Sequence, residues 1–258
     1  MPGDCVLLLP PSEGKAAGPG PGRRRGAFEA QLTDRRVEVR QALAGELAAL
    51  TPSRAARLFN ARGELLEWAI QRAASVVDGD APTMAAWRRY TGVVWQHLEP
   101  AALGEGALRR CLIPSSLYGL NGALDPIVDY RLSMQAALGS LGRLSGFWRL
   151  PVTRAICRAA RGRVVVDLLP KEYAAAVDFG LVESAADVFR VSFVSADGAA
   201  AIGHGAKAVK GRLAAHLLLE GLEAAPGFRW EGWRARRTAE GLVVSAPSGA
   251  HGPRGARR

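Results

Sequence analysis

Hydrophobic residues along the chain follow two patterns, which predict two kinds of element. Continuous apolar runs at residues 6–9 and 164–169 predict buried strands, and residues 188–195 alternate as a half-buried strand does. In longer stretches the apolar positions recur every three or four residues, which predicts helices. These helical stretches cover residues 34–50, 53–77, 84–98, 146–160 and 203–219.

The order of these elements indicates the fold class. Strands alternate with helices, but some strands follow one another directly, as residues 228–236 and 242–245 do in a candidate terminal hairpin. An α+β or mixed α/β single compact domain, with a mixed sheet and surrounding helices, accounts for this order. We expect it to span residues 1–246, with a mobile Gly/Pro/Arg loop at about 17–27 and a disordered basic tail at 247–258.

The charge of the chain adds an expectation about its partner. Of the 258 residues, 48% are hydrophobic, which is ample for a core. The chain has 34 Lys and Arg residues and 24 Asp and Glu residues, which gives a formal net charge of +10. Such a balance favours an anionic partner: nucleic acid, a nucleotide or acidic lipid. Six of the positive charges lie in the loop and the tail, at Arg23–Arg25, Arg254, Arg257 and Arg258.

Cysteine and histidine usage excludes several classes of site. Cys5, Cys111 and Cys157 are widely spaced, without a CxxC pair or a nearby histidine, which favours reduced thiols in a cytoplasmic protein. The four histidines show no metal-ligand spacing, so we expect neither a metal nor a cofactor. The apolar run near the start has only four residues, too few for a signal peptide or a membrane span, and we expect no membrane partner.

Chemically dense residues follow the first predicted strand. Ser12, Glu13, Gly14 and Lys15 come directly after Pro10-Pro11, which end the apolar run. Loops at the carboxyl ends of buried strands carry the ligand sites of open sheets, and Gly14 lets backbone amides approach an anion beside the Lys15 charge. A polar loop with an incidental lysine is the simpler interpretation. The glycine spacing does not match a Walker loop.

A second polar segment runs from Leu112 to Met134. Its first half surrounds one tyrosine with hydroxyl residues and a glycine, and its second half contains a phenol next to a guanidinium. A tight turn with a packed tyrosine and a locally paired arginine explains the pattern equally well. The candidate residues of this segment are Ser115, Ser116, Tyr118, Gly119, Tyr130 and Arg131.

Charged residues also follow two later elements. Lys171 and Glu172 come just after the strand at 164–169. At the start of the last predicted helix, after His204, Lys207 and Lys210 are three residues apart and near a glycine-flanked helix N-terminus, which is a suitable cradle for phosphate. Lysines on a solvated helix face are the default alternative.

Together, in this order, the motifs resemble the YaaA family of bacterial peroxide stress proteins. Each piece is short, but the ordered set extends over some 200 residues. The pieces are Leu7–Lys15, Tyr90-Thr91-Gly92, Ser115 with Leu117-Tyr118-Gly119, Tyr130-Arg131-Leu132 with Met134, Phe147-Trp148, Asp167 with Glu172-Tyr173, and His204 with Ala206-Lys207 and Gly211.

The resemblance implies a positively charged cleft, a helix-hairpin-helix-like element, DNA binding, and a role in limiting oxidative damage from iron and peroxide. The best match to the hairpin is Ser115–Gly119, where the family pattern reads Ser-Gly-Leu-Tyr-Gly. Ser116 replaces the first glycine and adds a side chain where a close approach to the phosphate backbone is expected.

Two functions from different classes follow, and a structural scaffold is a third possibility. The first is binding of DNA or another phosphate-bearing anion in the basic cleft. The second is an enzyme acting on a nucleotide-like or other anionic small molecule, in which Tyr118, Glu172, His204 and Lys207 move protons. No protein partner is indicated. The expected anion-binding residues are Ser12, Lys15, Ser115, Ser116, Gly119, Tyr130, Arg131, Lys171, Lys207 and Lys210.

Overall fold

Ten short strands are present in the computed structural model, which describes residues 5–247. Eight of them form one sheet in the order β4-β3-β1-β6-β7-β10-β9-β8, and β2 pairs with β5 separately. The strands are β1 Cys5–Leu8, β2 Thr83–Ala85, β3 Cys111–Ser115, β4 Gly119–Gly122, β5 Pro126–Val128, β6 Val164–Asp167, β7 Val188–Val194, β8 Arg229–Trp230, β9 Trp233–Thr238 and β10 Gly241–Ser245.

The sheet is mixed, as the sequence predicts. Neighbouring strands are parallel through β3, β1, β6, β7 and β10. At one end β4 pairs antiparallel with β3, and at the other end β9 pairs antiparallel with both β10 and β8. The helices are α1 Glu29–Ala48, α2 Pro52–Phe59, α3 Glu64–Asp78, α4 Ala86–Arg89, α5 Val93–Leu98, α6 Glu105–Leu108, α7 Leu144–Ala159, α8 Lys171–Ala174, α9 Phe179–Glu183 and α10 His204–Glu220.

Apolar side chains cover both faces of the central strands, which explains the continuous hydrophobic runs. Successive residues of a strand point to opposite faces, so Leu8 joins the core formed with α1, α3 and α7, while Leu7 joins the core formed with α5 and α10. The predicted α/β fold class is therefore confirmed, with a mixed sheet between two layers of helices.

Glycine is required where α10 crosses α5. A Cβ added to Gly211 would lie 2.3 Å from the carbonyl oxygen of Val94 and 2.9 Å from the backbone nitrogen of Leu98. Both atoms belong to the backbone of α5 or its end, so the two helices would have to separate. This contact fixes how α10 is placed at the sheet.

Two of the predicted helices are wrong in extent. Residues 53–77 form two helices, because Asn60 adopts a left-handed conformation with φ 47° and ends α2. Leu65 in the first turn of α3 is 46% exposed and lies outside the buried face of that helix. Residues 84–98 form the end of β2 and two short helices, α4 and α5, separated at Tyr90–Gly92.

The structure also corrects the hairpin expected at residues 115–119. This turn joins β3 to the antiparallel β4, so the segment is a β-hairpin and not a helix-hairpin-helix. The loop at 17–27 has no regular structure but is hydrogen-bonded to residues 83–85 through Gly20 N–H and Pro21 C=O, and its mobility stays a prediction. The tail at 248–258, with its three arginines, lies outside the described residues.

None of the helices between residues 5 and 247 is long and apolar enough to cross a bilayer.

Candidate functional site

Three parallel strands deliver the predicted site residues to one edge of the sheet. Leu8 near the end of β1 is in register with Leu112 of β3 and Asp167 of β6, so the segments that follow these strands start side by side. The loop Ser12–Lys15 follows β1, the turn at Ser115 follows β3, and α8 follows β6. We call this region the carboxyl-edge site. Its position matches the usual ligand position of open parallel sheets.

Lys15 places a positive charge within the carboxyl-edge site. Its Nζ donates to the carbonyl oxygen of Ser12 at 2.8 Å and lies 4.3 Å from the ring centroid of Tyr130 and 5.7 Å from that of Tyr90. Burial lowers the pKa of Lys15 to about 8, and the charge of Asp129 opposes this shift only in part. An ammonium has three donors, and among the described residues only Ser12 supplies an oxygen acceptor.

Hydrogen-bonded hydroxyl groups lie behind the lysine. The Tyr130 hydroxyl is 2.7 Å from Ser115 Oγ. Asn121 Nδ2 donates to Tyr90 Oη at 3.4 Å. Burial raises the pKa of both tyrosines, so they stay neutral near pH 7 and act as hydrogen-bond donors and acceptors, not as charges.

Arg131 is largely engaged by the protein itself. Its Nε donates to the carbonyl oxygen of Phe59 at 2.9 Å, and its Nη2 donates to the carbonyl oxygen of Asn60 at 3.1 Å. Nη2 also pairs with the exposed Glu13 carboxylate at 3.2 Å. The left-handed turn at Asn60 thus presents two carbonyls that hold this arginine at the wall of the site.

Glu172 lies in α8 and lines the same site. Ser133 Oγ donates to its Oε1 at 2.8 Å. The cavity enclosed at this point has a volume of about 20 Å³, and since one water needs about 10–15 Å³ measured in this way, it accepts a single small group. The lining residues are Pro11, Ser12, Glu13, Lys15, Phe59, Asn60, Tyr130, Arg131, Leu132, Ser133, Glu172 and Tyr173.

Lys210 is a second buried ammonium at the same edge of the sheet. Its Nζ donates to the carbonyl oxygen of Leu168 at 2.6 Å and lies 5.3 Å from the ring centroid of Phe193. Burial lowers its pKa to about 8, against the attraction of Asp167 and with a smaller contribution from the like charge of Lys207. It lies beside the ends of β6 and β7 and does not line the cavity at Lys15.

Several predicted residues lie in the interior and do not face a ligand. Ser116 is 1% exposed, and its Oγ donates to the carbonyl oxygen of Leu132 at 2.8 Å. Gly119 has φ +74°, and an added Cβ would lie 2.6 Å from the Trp148 ring. The added side chain of Ser116 therefore does not stand in the way of a phosphate backbone.

Tyr118, His204, Lys171 and Lys207 do not reach the small cavity. Tyr118 Oη accepts from Val128 N–H at 3.0 Å, burial raises its pKa to about 12, and it lines a different cavity of about 370 Å³. The other three side chains are exposed. The structure thus brings together Ser12, Lys15, Ser115, Tyr130, Arg131 and Glu172.

Three charged residues behind the site, Arg72, Arg89 and Asp129, were not among the predicted site residues. Asp129 is buried at 3% exposure, and within the described chain its Oδ1 has no hydrogen-bond partner, while Oδ2 lies 3.5 Å from Arg72 Nε. Arg89 is fully buried and donates to the carbonyl oxygens of Gly18 and Pro82, at 2.9 and 2.8 Å. Burial raises the pKa of Asp129, which the charges of Arg72, Lys15 and Arg89 oppose. Charged residues inside an apolar stretch are the only signal that the sequence offers for them.

Within residues 5–247 no group of three or more His, Cys, Asp or Glu is placed to hold a metal ion.

Comparison with known proteins places this arrangement in context. A sequence profile described as "Peroxide stress protein YaaA" matches residues 6–239. A UPF0246 protein of Streptomyces coelicolor is 34% identical over 224 residues, which cover 84% of this chain and 84% of that protein. A UPF0246 protein of Corynebacterium glutamicum is 33% identical over 244 residues, covering 93% and 94% respectively. The matched region contains every segment of the carboxyl-edge site.

Proposed function

Because the chain belongs to the YaaA family of peroxide stress proteins, we propose that its carboxyl-edge site binds a phosphate-bearing anion, either DNA or a nucleotide-like molecule. Membership associates the chain with the peroxide stress response.

The observation that supports this proposal is the unsatisfied ammonium of Lys15. It borders a cavity of about 20 Å³, and two of its three donors have no oxygen acceptor among the described residues. A phosphate oxygen would accept from those donors and offset the loss of hydration that lowers the pKa of Lys15. The cavity accepts only such a single group, so the remainder of the ligand lies outside it.

Removal of the Lys15 charge tests the proposal. Affinity for a fluorescent DNA duplex and for a nucleoside triphosphate is measured for wild type, Lys15→Met and Arg236→Met at pH 7. Arg236 is exposed on β9 and does not line the site, so its variant controls for net charge. We expect Lys15→Met to weaken one ligand at least tenfold, since a charge-assisted hydrogen bond contributes about 1.5–3 kcal/mol. Equal affinities of the two variants for both ligands would refute the proposal.

The second function, an enzyme on an anionic small molecule, is favoured by a different observation. With a pKa of about 8, Lys15 is partly neutral just above pH 7, and the Tyr130–Ser115 hydrogen bond lies next to it. A group with such a pKa exchanges protons efficiently near neutral pH. Of the four residues expected to move protons, Glu172 is the one that lines this cavity.

Turnover distinguishes the enzyme from the binding protein. Incubation of the wild type with a nucleotide mixture, followed by mass spectrometry, is expected to show a product that Tyr130→Phe and Glu172→Gln diminish without loss of folding. If the wild type converts no nucleotide but still binds one through Lys15, the first function stands and the enzyme is excluded for this class of substrate.

A further inference from the structure

Tyr118 lines a cavity that is separate from the carboxyl-edge site. The volume of this cavity is about 370 Å³, which falls within the range of about 300–1,000 Å³ that is typical of small-molecule sites. Its walls are one face of α1, the end of α3 and the segments before and after β4. We call it the α1 cavity. Lys15, Arg131 and Glu172 do not line it, so the two sites can be tested separately.

The α1 cavity follows the helix along its length. Its lining residues on α1 recur at a spacing of three or four positions, so they share one face of the helix. They are Glu29, Thr33, Arg36, Val37 and Arg40. At about 1.5 Å per residue, the helix rises by about 16 Å between the first and the last of them. This shape suits an elongated ligand.

Apolar side chains form much of the wall. Val37 contributes from α1, Val76 from α3, Leu117 from the turn between β3 and β4, and Val128 from β5. The last three are buried and belong to the hydrophobic core. Contact with an apolar chain or ring would remove the remaining accessible part of this wall from water, which favours binding.

Two polar side chains at the cavity have donors that the protein does not use. Tyr118 Oη accepts from the backbone N–H of Val128 at 3.0 Å, but its own O–H has no acceptor among residues 5–247. Arg36 donates from Nε to the carbonyl oxygen of Tyr118 and from Nη2 to that of Leu120, both at 3.0 Å. Its Nη1 donates to no atom of the described chain. A ligand here must therefore supply acceptors.

The carboxylates that line the cavity are engaged by the backbone. Asp125 accepts from the N–H groups of Ala27 and Gly122 at 2.9 and 2.8 Å, one on each carboxylate oxygen. Glu29 Oε2 accepts from the N–H of Gly26 at 3.3 Å. Neither carboxylate forms an ion pair with an arginine of the described segment. The unused hydrogen-bonding capacity around the arginines is thus mainly that of donors.

Arg40 adds a guanidinium without a partner at the far end of the cavity from Glu29. It is exposed, and it forms no ion pair with any other residue in the range 5–247. Arg36 lies one turn before it on the same face of α1, and like charges at this spacing repel each other. An anion between the two guanidinium groups would offset this repulsion.

We propose that the α1 cavity binds an amphipathic monocarboxylate, with its carboxylate between Arg36 and Arg40 and its apolar chain or ring against Val76, Leu117 and Val128. A carboxylate accepts strong, charge-assisted hydrogen bonds from guanidinium groups. A neutral alcohol with the same chain covers the apolar wall equally well but offers a weaker acceptor. The cavity therefore discriminates between ligands by the head group.

Octanoate and octanol test this discrimination, because they share one chain length and differ in charge. Affinity for each is measured by isothermal titration calorimetry at pH 7.5 for wild type, Arg40→Gln and the control Arg57→Gln. Arg57 is exposed on α2 and does not line the cavity. We expect the wild type to bind octanoate about tenfold more tightly than octanol. Arg40→Gln should weaken octanoate about fivefold and octanol less than about twofold, since the pair involves an exposed arginine. Arg57→Gln should change neither affinity.

Val37→Phe tests the position of the apolar chain. Val37 is half-buried on the lining face of α1, so a phenylalanine would fill part of the cavity. Both ligands should bind about tenfold more weakly to this variant while it still melts cooperatively.

Four results would overturn the proposal. The first is that the wild type does not bind octanoate or binds both ligands equally, and the second is that Arg40→Gln and Arg57→Gln have equal effects. The third is that a folded Val37→Phe protein binds octanoate as the wild type does. Loss of octanoate binding in Lys15→Met is the fourth, because it would place the carboxylate in the carboxyl-edge site.

Discussion

Replacement of Lys15 by methionine is expected to stabilise the fold while weakening anion binding. In the unliganded protein the buried ammonium has one oxygen acceptor among the described residues, and its pKa falls from 10.5 to about 8. One pKa unit corresponds to about 1.4 kcal/mol, so the charged form is disfavoured by about 3 kcal/mol relative to an unfolded chain. Methionine keeps the apolar stem and has no charge to desolvate.

The sign of the pH dependence follows from the lowered pKa. Below about pH 8 Lys15 is protonated in both states, and the full penalty acts on the folded protein. Between about 8 and 10.5 the unfolded chain binds more protons than the folded one, so the wild type gains stability as the pH rises. The advantage of Lys15→Met should therefore be largest at pH 7 and small at pH 10.

Urea unfolding of both proteins at pH 7 and pH 10 measures this difference. At pH 7 we expect the free energy of unfolding to be about 2–3 kcal/mol higher in Lys15→Met, because the hydrogen bond to Ser12 offsets about 1 kcal/mol of the gain. Lys171→Met is the matched control, since Lys171 is exposed, and should change stability by less than about 0.5 kcal/mol. A Lys15→Met protein less stable than the wild type at pH 7 would refute the assignment of a desolvated ammonium.

Two further substitutions test the packing around the site. Gly211→Ala should lower the free energy of unfolding by about 1–3 kcal/mol, because its Cβ would lie 2.3 Å from the Val94 carbonyl oxygen; an unchanged melting temperature would contradict the close crossing of α10 and α5. Ser116→Gly restores the glycine of the family pattern, but it removes the buried hydrogen bond to Leu132. We expect it to cost about 1–3 kcal/mol in thermal unfolding without raising DNA affinity, and a clear rise in affinity would show that the hairpin itself contacts DNA.

The strand ends were predictable from the sequence, and with them the general position of the site. Continuous apolar runs identify β1 and β6, and in a parallel sheet their following loops must meet at one edge. Lys15 and Glu172 come together for this reason. The breaks at Asn60 and at Tyr90–Gly92 were not predictable, since local periodicity continues through both.

The pattern of the sequence also could not predict which individual polar side chains are buried. Lys207 and Lys210 occupy neighbouring positions on α10, yet one is exposed and the other donates to Leu168. The difference depends on the rotation of α10 about its axis, which the contact of Gly211 with α5 sets. Ser116 is a similar case, because the backbone of a distant segment supplies its hydrogen-bond acceptor.

If the Lys15 ammonium binds the anion, affinity must depend on pH through the protonation of this group. Nucleotide or DNA affinity is measured from pH 7 to 9.5 for wild type and Lys15→Met. With a pKa of about 8 in the free protein, wild-type affinity should fall on the order of tenfold per pH unit above 8, whereas Lys15→Met should bind weakly and vary much less. A wild type whose affinity is constant across this range, or a variant that retains the same fall, would show that the Lys15 ammonium does not bind the anion.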